Sequence, residues 1–145
     1  MTSKREQVLD AVKRLIEDAM PGADVKRNRD KPQSIPAGGM VIVRDGDCGQ
    51  PDVILSPLLY IYDHRIPLEV ATYQTSGGAT REEALDRMLM AIGNAILADR
   101  TLGGLCDFLE CEAPATDDIE AEGARTARWA DVAIVATYGT SNPLL

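Results

Sequence analysis

Apolar residues recur along the chain with two different spacings, and each spacing predicts one kind of element. A spacing of three and four residues predicts a helix at 3–20 and a second helix at 80–99, because residues so spaced share one face of an α-helix. Each helix opens with a capping box, SKRE at 3–6 and TREE at 80–83, whose side chains satisfy the first free amides of a helix. We therefore expect two amphipathic helices.

A spacing of two predicts a strand over 57–74, where the even-numbered positions are apolar apart from His64. At roughly 3.3 Å per residue such a strand is about twice the usual length. We expect it to bend at a bulge or to project beyond its own domain, with Pro67 placing part of it at an edge. A similar alternation predicts a strand over 127–139. Residues 105–114 fit neither spacing and stay open between a strand and a helical turn.

Shorter β-branched runs predict strands at 40–44 and 53–56, paired as a hairpin around a turn-rich centre. Two polar segments are predicted as loops, a basic one at 22–39 and an acidic one at 107–125. This order of elements predicts a single α+β domain, with a mixed or antiparallel β-sheet and both helices packed on one face. A sheet covered on one face has open edges, which favour pairing with another subunit.

The charge is unevenly distributed and excludes some partners. The 145 residues carry a net charge of -8, with +2 over residues 1–31 and -10 over the rest. Such an acidic body argues against general nucleic-acid binding and against docking on anionic membranes. No segment has the length of a membrane span, and the first ten residues lack an apolar signal core. We expect a soluble protein made in the cytoplasm.

The only histidine, His64, stands between an acid and a guanidinium, an order that resembles catalytic equipment. On a strand, however, Asp63 and Arg65 face one side and His64 faces the other, so Asp63 cannot orient the imidazole. We expect Asp63 to pair with Arg65, and His64 to be a packed imidazole between Tyr62 and Ile66 with a local polar partner. The chain has none of the common phosphate-binding or nucleophile motifs. It is predicted not to be an enzyme and to need no cofactor.

Metal binding is not predicted either. The cysteines are Cys48, Cys106 and Cys111. Their spacing and the single histidine match no familiar zinc pattern, so we expect reduced thiols. Asp45, Asp47 and Asp52 lack the ligand spacing of a calcium loop, and turn chemistry explains them more simply.

Two charged segments supply candidate interface residues. The basic segment is the one cluster of cations, and residues 107–122 hold seven acids and no base. Each can be a solvated loop, or the two can form a charge-complementary contact between neighbouring subunits. The candidates, including the pair on the long strand, are Lys26, Arg27, Arg29, Lys31, Asp63, Arg65, Asp117, Asp118 and Glu120.

Three segments carry a resemblance to a known family: SPLLYIYDHRIPLEV, AIGNAILADRTLGGL and ADVAIVATYGTS. With the polar segments around them, from about residue 20 to residue 139, the chain resembles the tail terminator (tail completion) proteins of long-tailed bacteriophages and of phage-derived gene transfer agents. The resemblance implies a tail-terminator-like fold and a structural role in the virion.

The same resemblance implies a homohexameric ring at the head-proximal end of the tail. Such a ring would cap the tail tube, stop its polymerisation and join the tail to the head connector. Its partners would be other copies of itself, the tail tube protein and a head-completion or connector protein. DNA would pass through the lumen without specific binding, which an acidic surface favours. The alternatives are a head–tail adaptor or other neck protein, and a small cytosolic enzyme that uses His64 or Cys48.

Overall fold

Two helices and a seven-stranded mixed sheet make up the fold. The computed structural model describes residues 1–31, 34–73, 80–120 and 126–145, and at 118–120 and 126 it describes the backbone alone. The α+β class predicted from the sequence is confirmed. None of the helices in the described ranges is long and apolar enough to cross a membrane.

Both helices begin where the capping boxes predict. Helix α1 spans Lys4–Ala19, and the hydroxyl of its N-cap Ser3 accepts a hydrogen bond from the Glu6 amide at 3.2 Å. Helix α2 spans Arg81–Ala98, and the hydroxyl of Thr80 accepts from the Glu83 amide at 3.2 Å. These bonds satisfy amides that have no partner inside the helix. The two predicted helices are confirmed to within one residue at each end.

The sheet is built around a long two-stranded ribbon. The strands are β1 Asp24–Arg27, β2 Met40–Val43, β3 Asp52–Leu55, β4 Leu58–Thr72, β5 Phe108–Cys111, β6 Ala115–Glu120 and β7 Thr126–Thr140. Strands β4 and β7 pair antiparallel from Tyr60 opposite Thr140 to Thr72 opposite Arg128. On the outer side of β4 lie β2 and β3, and on the outer side of β7 lie β5 and β6. Strand β1 pairs with β2 in parallel, so the sheet is mixed.

Alternation along β4 decides which side chains are buried. Its even-numbered residues from Tyr62 to Val70 are buried, and they form one core with the apolar stripes of both helices. Both helices therefore cover the same face of the sheet, as predicted. On the opposite face, a smaller cluster forms around Trp129, which packs with Ile35 from the segment before β2. That face also carries the charged side chains of Asp63, Arg65 and Glu69.

Three details of the shorter segments differ from the sequence predictions. The segment 22–39, predicted as a loop, contains strand β1. The segment 107–125, also predicted as a loop, contains β5 and β6, and its residues 121–125 lie outside the described ranges. The predicted hairpin of 40–44 with 53–56 is wrong, because β2 and β3 each pair with β4 at different places. Strand pairing between distant segments satisfies the backbone of all these stretches, and local composition does not reveal it.

Strand β4 neither bends at a bulge nor runs at an edge near Pro67. It keeps one register with β7, and on its other side the segment 44–51 fills the gap between β2 and β3. The Arg65 amide donates to the Asp47 carbonyl at 3.4 Å, and the Pro67 carbonyl accepts from the Arg44 amide at 2.8 Å. The nitrogen of Pro67 points to the same side, where no regular ladder needs a donor. A proline is therefore tolerated in a central strand.

Candidate functional site

The tip of the hairpin formed by β3 and β4 exposes a group of apolar side chains, which we call the hairpin tip. Ser56 and Pro57, joined by a cis peptide bond, connect the two strands. The apolar residues of the hairpin tip are Val53, Ile54, Leu55 and Leu58, which are 48%, 45%, 81% and 45% exposed. Among the strands that the structure describes, β3 pairs with β4 alone. The hairpin tip thus combines an open backbone edge with an uncovered apolar surface.

A groove between helix α2 and strand β5 forms a second uncovered surface, which we call the α2–β5 groove. Its volume is about 470 Å³, and it is lined by Met90, Gly93, Asn94, Ile96, Leu97, Arg100, Glu110 and Cys111. Met90 and Leu97 are 59% and 65% exposed, although they lie on a helix whose neighbouring face is fully buried. Near its end, Phe108 is also exposed and stacks against the Arg100 guanidinium at 4.8 Å. The groove is therefore apolar along the helix and polar at its rim.

Gly93 lies in the middle of α2 and inside this groove. A glycine in a helix interior destabilises it by about 1 kcal/mol relative to alanine. Glycines are often kept in helices because a neighbouring group approaches closely, but a Cβ added to Gly93 would meet nothing within 4 Å. Packing against the described residues of the subunit therefore does not explain this glycine.

The two surfaces lie on opposite sides of the sheet. The hairpin tip is on the outer side of β4, whereas the α2–β5 groove is bordered by β5 on the outer side of β7. The outer edge of β5 is partly closed, because the Leu109 amide donates to the Arg100 carbonyl and the Leu109 carbonyl accepts from the Arg100 side chain, both at 2.8 Å. At Leu109, therefore, this edge offers no free backbone group to another strand.

The surroundings of His64 form a closed polar chain inside the core. The Asp45 carbonyl can only accept, so the His64 Nε2 donates to it, and the Nδ1 then accepts from the Tyr138 hydroxyl at 2.9 Å. The Tyr138 hydroxyl in turn lies 3.5 Å from the Cys48 thiol. His64 is fully buried, and burial lowers its pKa and raises that of Tyr138. The imidazole is held neutral with both nitrogens occupied, as expected of a structural histidine.

The predicted pairing of Asp63 with Arg65 does not form. Both side chains lie on the open face, but Arg65 bonds to Glu112 at 2.9 Å, and Asp63 accepts from the Thr137 hydroxyl at 2.6 Å. Residues two apart on a strand are neighbours on one face, yet the strands beside them offer closer partners. The Asp63–Arg65 prediction is therefore wrong in its partners, although its assignment of faces is confirmed.

The cations of the basic segment mostly have acidic partners within the subunit. Arg27 forms a bidentate pair with Glu6 at 2.7 and 2.8 Å and donates to Asp45 at 3.0 Å. The bond from Arg27 lowers the pKa of Glu6. Burial alone would raise the pKa of Asp45, but hydrogen bonds from Asn28 and Arg27 outweigh it and lower that pKa. Arg27 therefore ties β1 to α1 and to the segment after β2.

The remaining candidates are spread over the surface. Lys26 pairs with Asp24 at 3.4 Å, and Lys31 lies 3.6 Å from Glu69 and 4.9 Å from the centre of the Trp129 ring. Arg29 is exposed. Asp117 lies opposite Trp129 on β6, so Lys31 and Asp117 are neighbours of the same ring within one subunit. The side chains of Asp118 and Glu120 lie outside the described residues.

Sequence reasoning missed the hairpin tip and the groove. The run VILS at 53–56 has no polar alternation, a pattern typical of a buried strand, and only the sheet order reveals that β3 is at an edge. A signal for the groove was available, since Met90 and Leu97 are seven residues apart and outside the buried stripe. Gly93 between them strengthened that signal.

The fold and these surfaces define an α+β protein with two uncovered apolar patches and a hydrogen-bonded polar chain at the buried His64. In comparisons with known proteins, no family model matches the chain, and no curated protein matches it either.

Proposed function

We propose that this protein is a structural subunit of a homo-oligomeric ring, of six copies, that caps a phage tail tube. The ring stops polymerisation of the tube at its head-proximal end and joins the tail to the head connector. Its role is assembly, and no step of it requires catalysis, a metal or a cofactor. The resemblance of the sequence to tail terminator proteins is the reason for proposing the ring. The hairpin tip is a surface by which copies of the subunit can associate.

The hairpin tip is the observation that carries the proposal. Four aliphatic side chains project together from an edge of the sheet, with an exposed area on the order of 400 Å². This area is in the range of the largest apolar patch on a typical soluble monomer, which is often functional. Leaving such an area in water is unfavourable by roughly 25 cal/mol per Å², or about 10 kcal/mol in total if all of it is buried on association. The loss of translational and rotational freedom on association offsets part of this gain, and the surplus favours a partner that covers the patch.

The region around His64 supports an assembly role over catalysis. The imidazole is fully buried, and both of its nitrogens are occupied by hydrogen bonds within the chain. A general base must reach the proton it takes from a substrate, and a nitrogen that is buried and occupied does not do so. The acidic charge of the chain also fits a ring through which DNA passes, because it repels phosphates.

Two measurements test the proposal. Native mass spectrometry of the purified protein, alone and with tail tubes, should give a species of six times the 15.7 kDa chain mass. Addition of the protein to polymerising tail tube protein should shorten the tubes seen by electron microscopy. The exposed Leu55→Asp change should abolish both effects, and Gln7→Asp, which adds the same charge at an exposed position on α1, should not.

A protein that stays monomeric in the presence of tail tubes would overturn the ring. Binding to the portal without binding to the tube would favour the head–tail adaptor instead.

A further inference from the structure

We infer that the hairpin tip of one subunit binds in the α2–β5 groove of the next subunit. This inference rests on the proposed ring and names the two halves of its contact. The ring alone does not say which surfaces meet, since two hairpin tips could equally pair with each other. Four observations favour the α2–β5 groove as the site that the hairpin tip binds.

The first observation is the position of the two surfaces in the sheet. The hairpin tip is beside β4 and the groove is beside β5, on the far side of β7. A contact between different patches on opposite sides of a subunit is heterologous, and such contacts repeat head to tail until a ring closes. A contact between two hairpin tips would be isologous and would stop at a dimer.

The second observation is the match in chemistry and size. Both surfaces are aliphatic where they are most exposed, at Leu55 on the hairpin tip and at Met90 and Leu97 on the groove. Cavities of roughly 150 Å³ already accept a group the size of benzene. A groove of about 470 Å³ therefore has room for several aliphatic side chains.

The third observation is Gly93. This glycine weakens α2, and among the described residues no group comes within 4 Å of a Cβ placed on it. A side chain from another subunit, entering the groove between Met90 and Leu97, would come close to the helix backbone only where a Cβ is missing. The glycine then serves the contact and not the fold of the single subunit.

The fourth observation concerns the mode of contact. The outer backbone groups of Leu109 on β5 are already bonded to Arg100, so strand addition at this residue is blocked. The hairpin tip therefore enters by side-chain packing against α2, and the sheet does not continue across the boundary at that point.

A mixing experiment tests the pairing. Leu55→Asp places a charge on the hairpin tip and leaves the groove intact, whereas Leu97→Asp places a charge in the groove and leaves the hairpin tip intact. Each variant alone should be monomeric by native mass spectrometry, and an equimolar mixture should form heterodimers, because it retains one intact contact. A mixture that stays monomeric while the unaltered protein forms rings overturns the pairing and leaves the proposed function standing. An unaltered protein that never forms rings overturns both.

A single substitution tests the role of the glycine. Gly93→Ala should raise the Tm of the monomer by about 2–4 °C, measured in the Leu55→Asp background, and should weaken ring formation by roughly tenfold or more. Stronger or unchanged ring formation by Gly93→Ala would contradict the inference.

A cross-link identifies the contact directly. Leu55→Cys should form an intersubunit disulfide with the exposed native Cys111 on oxidation, and Cys111→Ser should abolish it. A disulfide between two copies of the introduced cysteine would assign the contact to paired hairpin tips. Rings in which the introduced cysteine stays unlinked while the tail tube protein protects Cys111 would assign the groove to the tube. Either result overturns the inference.

Discussion

Removal of the Tyr138 hydroxyl isolates the polar chain around His64. In Tyr138→Phe the ring keeps its packing, but the Nδ1 of His64 loses its hydrogen-bond donor and the Cys48 thiol loses its contact. His64 is fully buried and Tyr138 is 2% exposed, so bulk water does not reach this nitrogen directly. The Nε2 is already used by the Asp45 carbonyl, and among the described residues no second protein group bonds to Nδ1.

The expected loss of stability follows from that unsatisfied nitrogen. A buried acceptor without a partner destabilises a protein by about 1–3 kcal/mol. A small pocket of about 190 Å³ beside Tyr138 can admit water, which favours the lower half of this range. With a urea dependence of about 2 kcal/mol per molar, a loss of about 1.5 kcal/mol lowers the urea midpoint by roughly 0.75 M.

Urea unfolding followed by the fluorescence of Trp129 measures this loss, because Trp129 is the single tryptophan and is 3% exposed. The comparison is best made in the Leu55→Asp background, so that association does not add to stability. Tyr60→Phe is the matched control, since it removes the same atom from a half-buried ring, and its midpoint should barely change. Equal midpoints for Tyr138→Phe and Tyr60→Phe would refute the reasoning.

Three further predictions concern charge and backbone. Burial lowers the pKa of His64, so the unfolded chain takes up the proton first as the pH falls below about 6.5. The free energy of unfolding should therefore decrease from pH 7.5 to pH 5, and this decrease should be smaller in His64→Gln. Equal pH dependence in the two proteins would contradict this expectation. Gly46→Ala places a Cβ against a backbone carbonyl of β4, whereas Gly49→Ala places one in open space at a similar positive φ. The first substitution should lower the free energy of unfolding by at least about 2 kcal/mol more than the second. Thermal unfolding measures the difference, and equal Tm values would contradict the clash. Arg27→Ala should cost about 1–2 kcal/mol in urea unfolding at low salt and less at high salt, whereas Lys26→Ala, which removes only the weaker pair with Asp24, should be nearly neutral. Equal effects of the two substitutions would count against the bidentate pair.

Local patterns were sufficient for the elements and for the faces of the long strand. The capping boxes at Ser3 and Thr80 and the apolar spacings placed both helices, because these signals act within a few residues. Alternation placed His64 on the buried face of β4, because the period of a strand is two whatever its neighbours are.

What the sequence could not supply was the choice of partners between distant segments. Arg65 pairs with Glu112, and not with Asp63, because β5 and the residues after it lie beside β7 in the folded sheet. The same long-range order put β3 at an edge and exposed its apolar run, although the run alone reads as buried. The hairpin tip is therefore visible only in the structure.

The central ribbon also has a consequence for when the chain can fold. Strand β7 is the partner of β4, β5 and β6, and about seventy residues separate paired positions such as His64 and Ala136. Contacts so far apart in sequence form late and slowly. On the ribosome, β4 through β6 must wait for β7 to be synthesised before any of them gains this neighbour. A subunit therefore completes its sheet, and with it the groove bordered by β5, only after β7 has been synthesised.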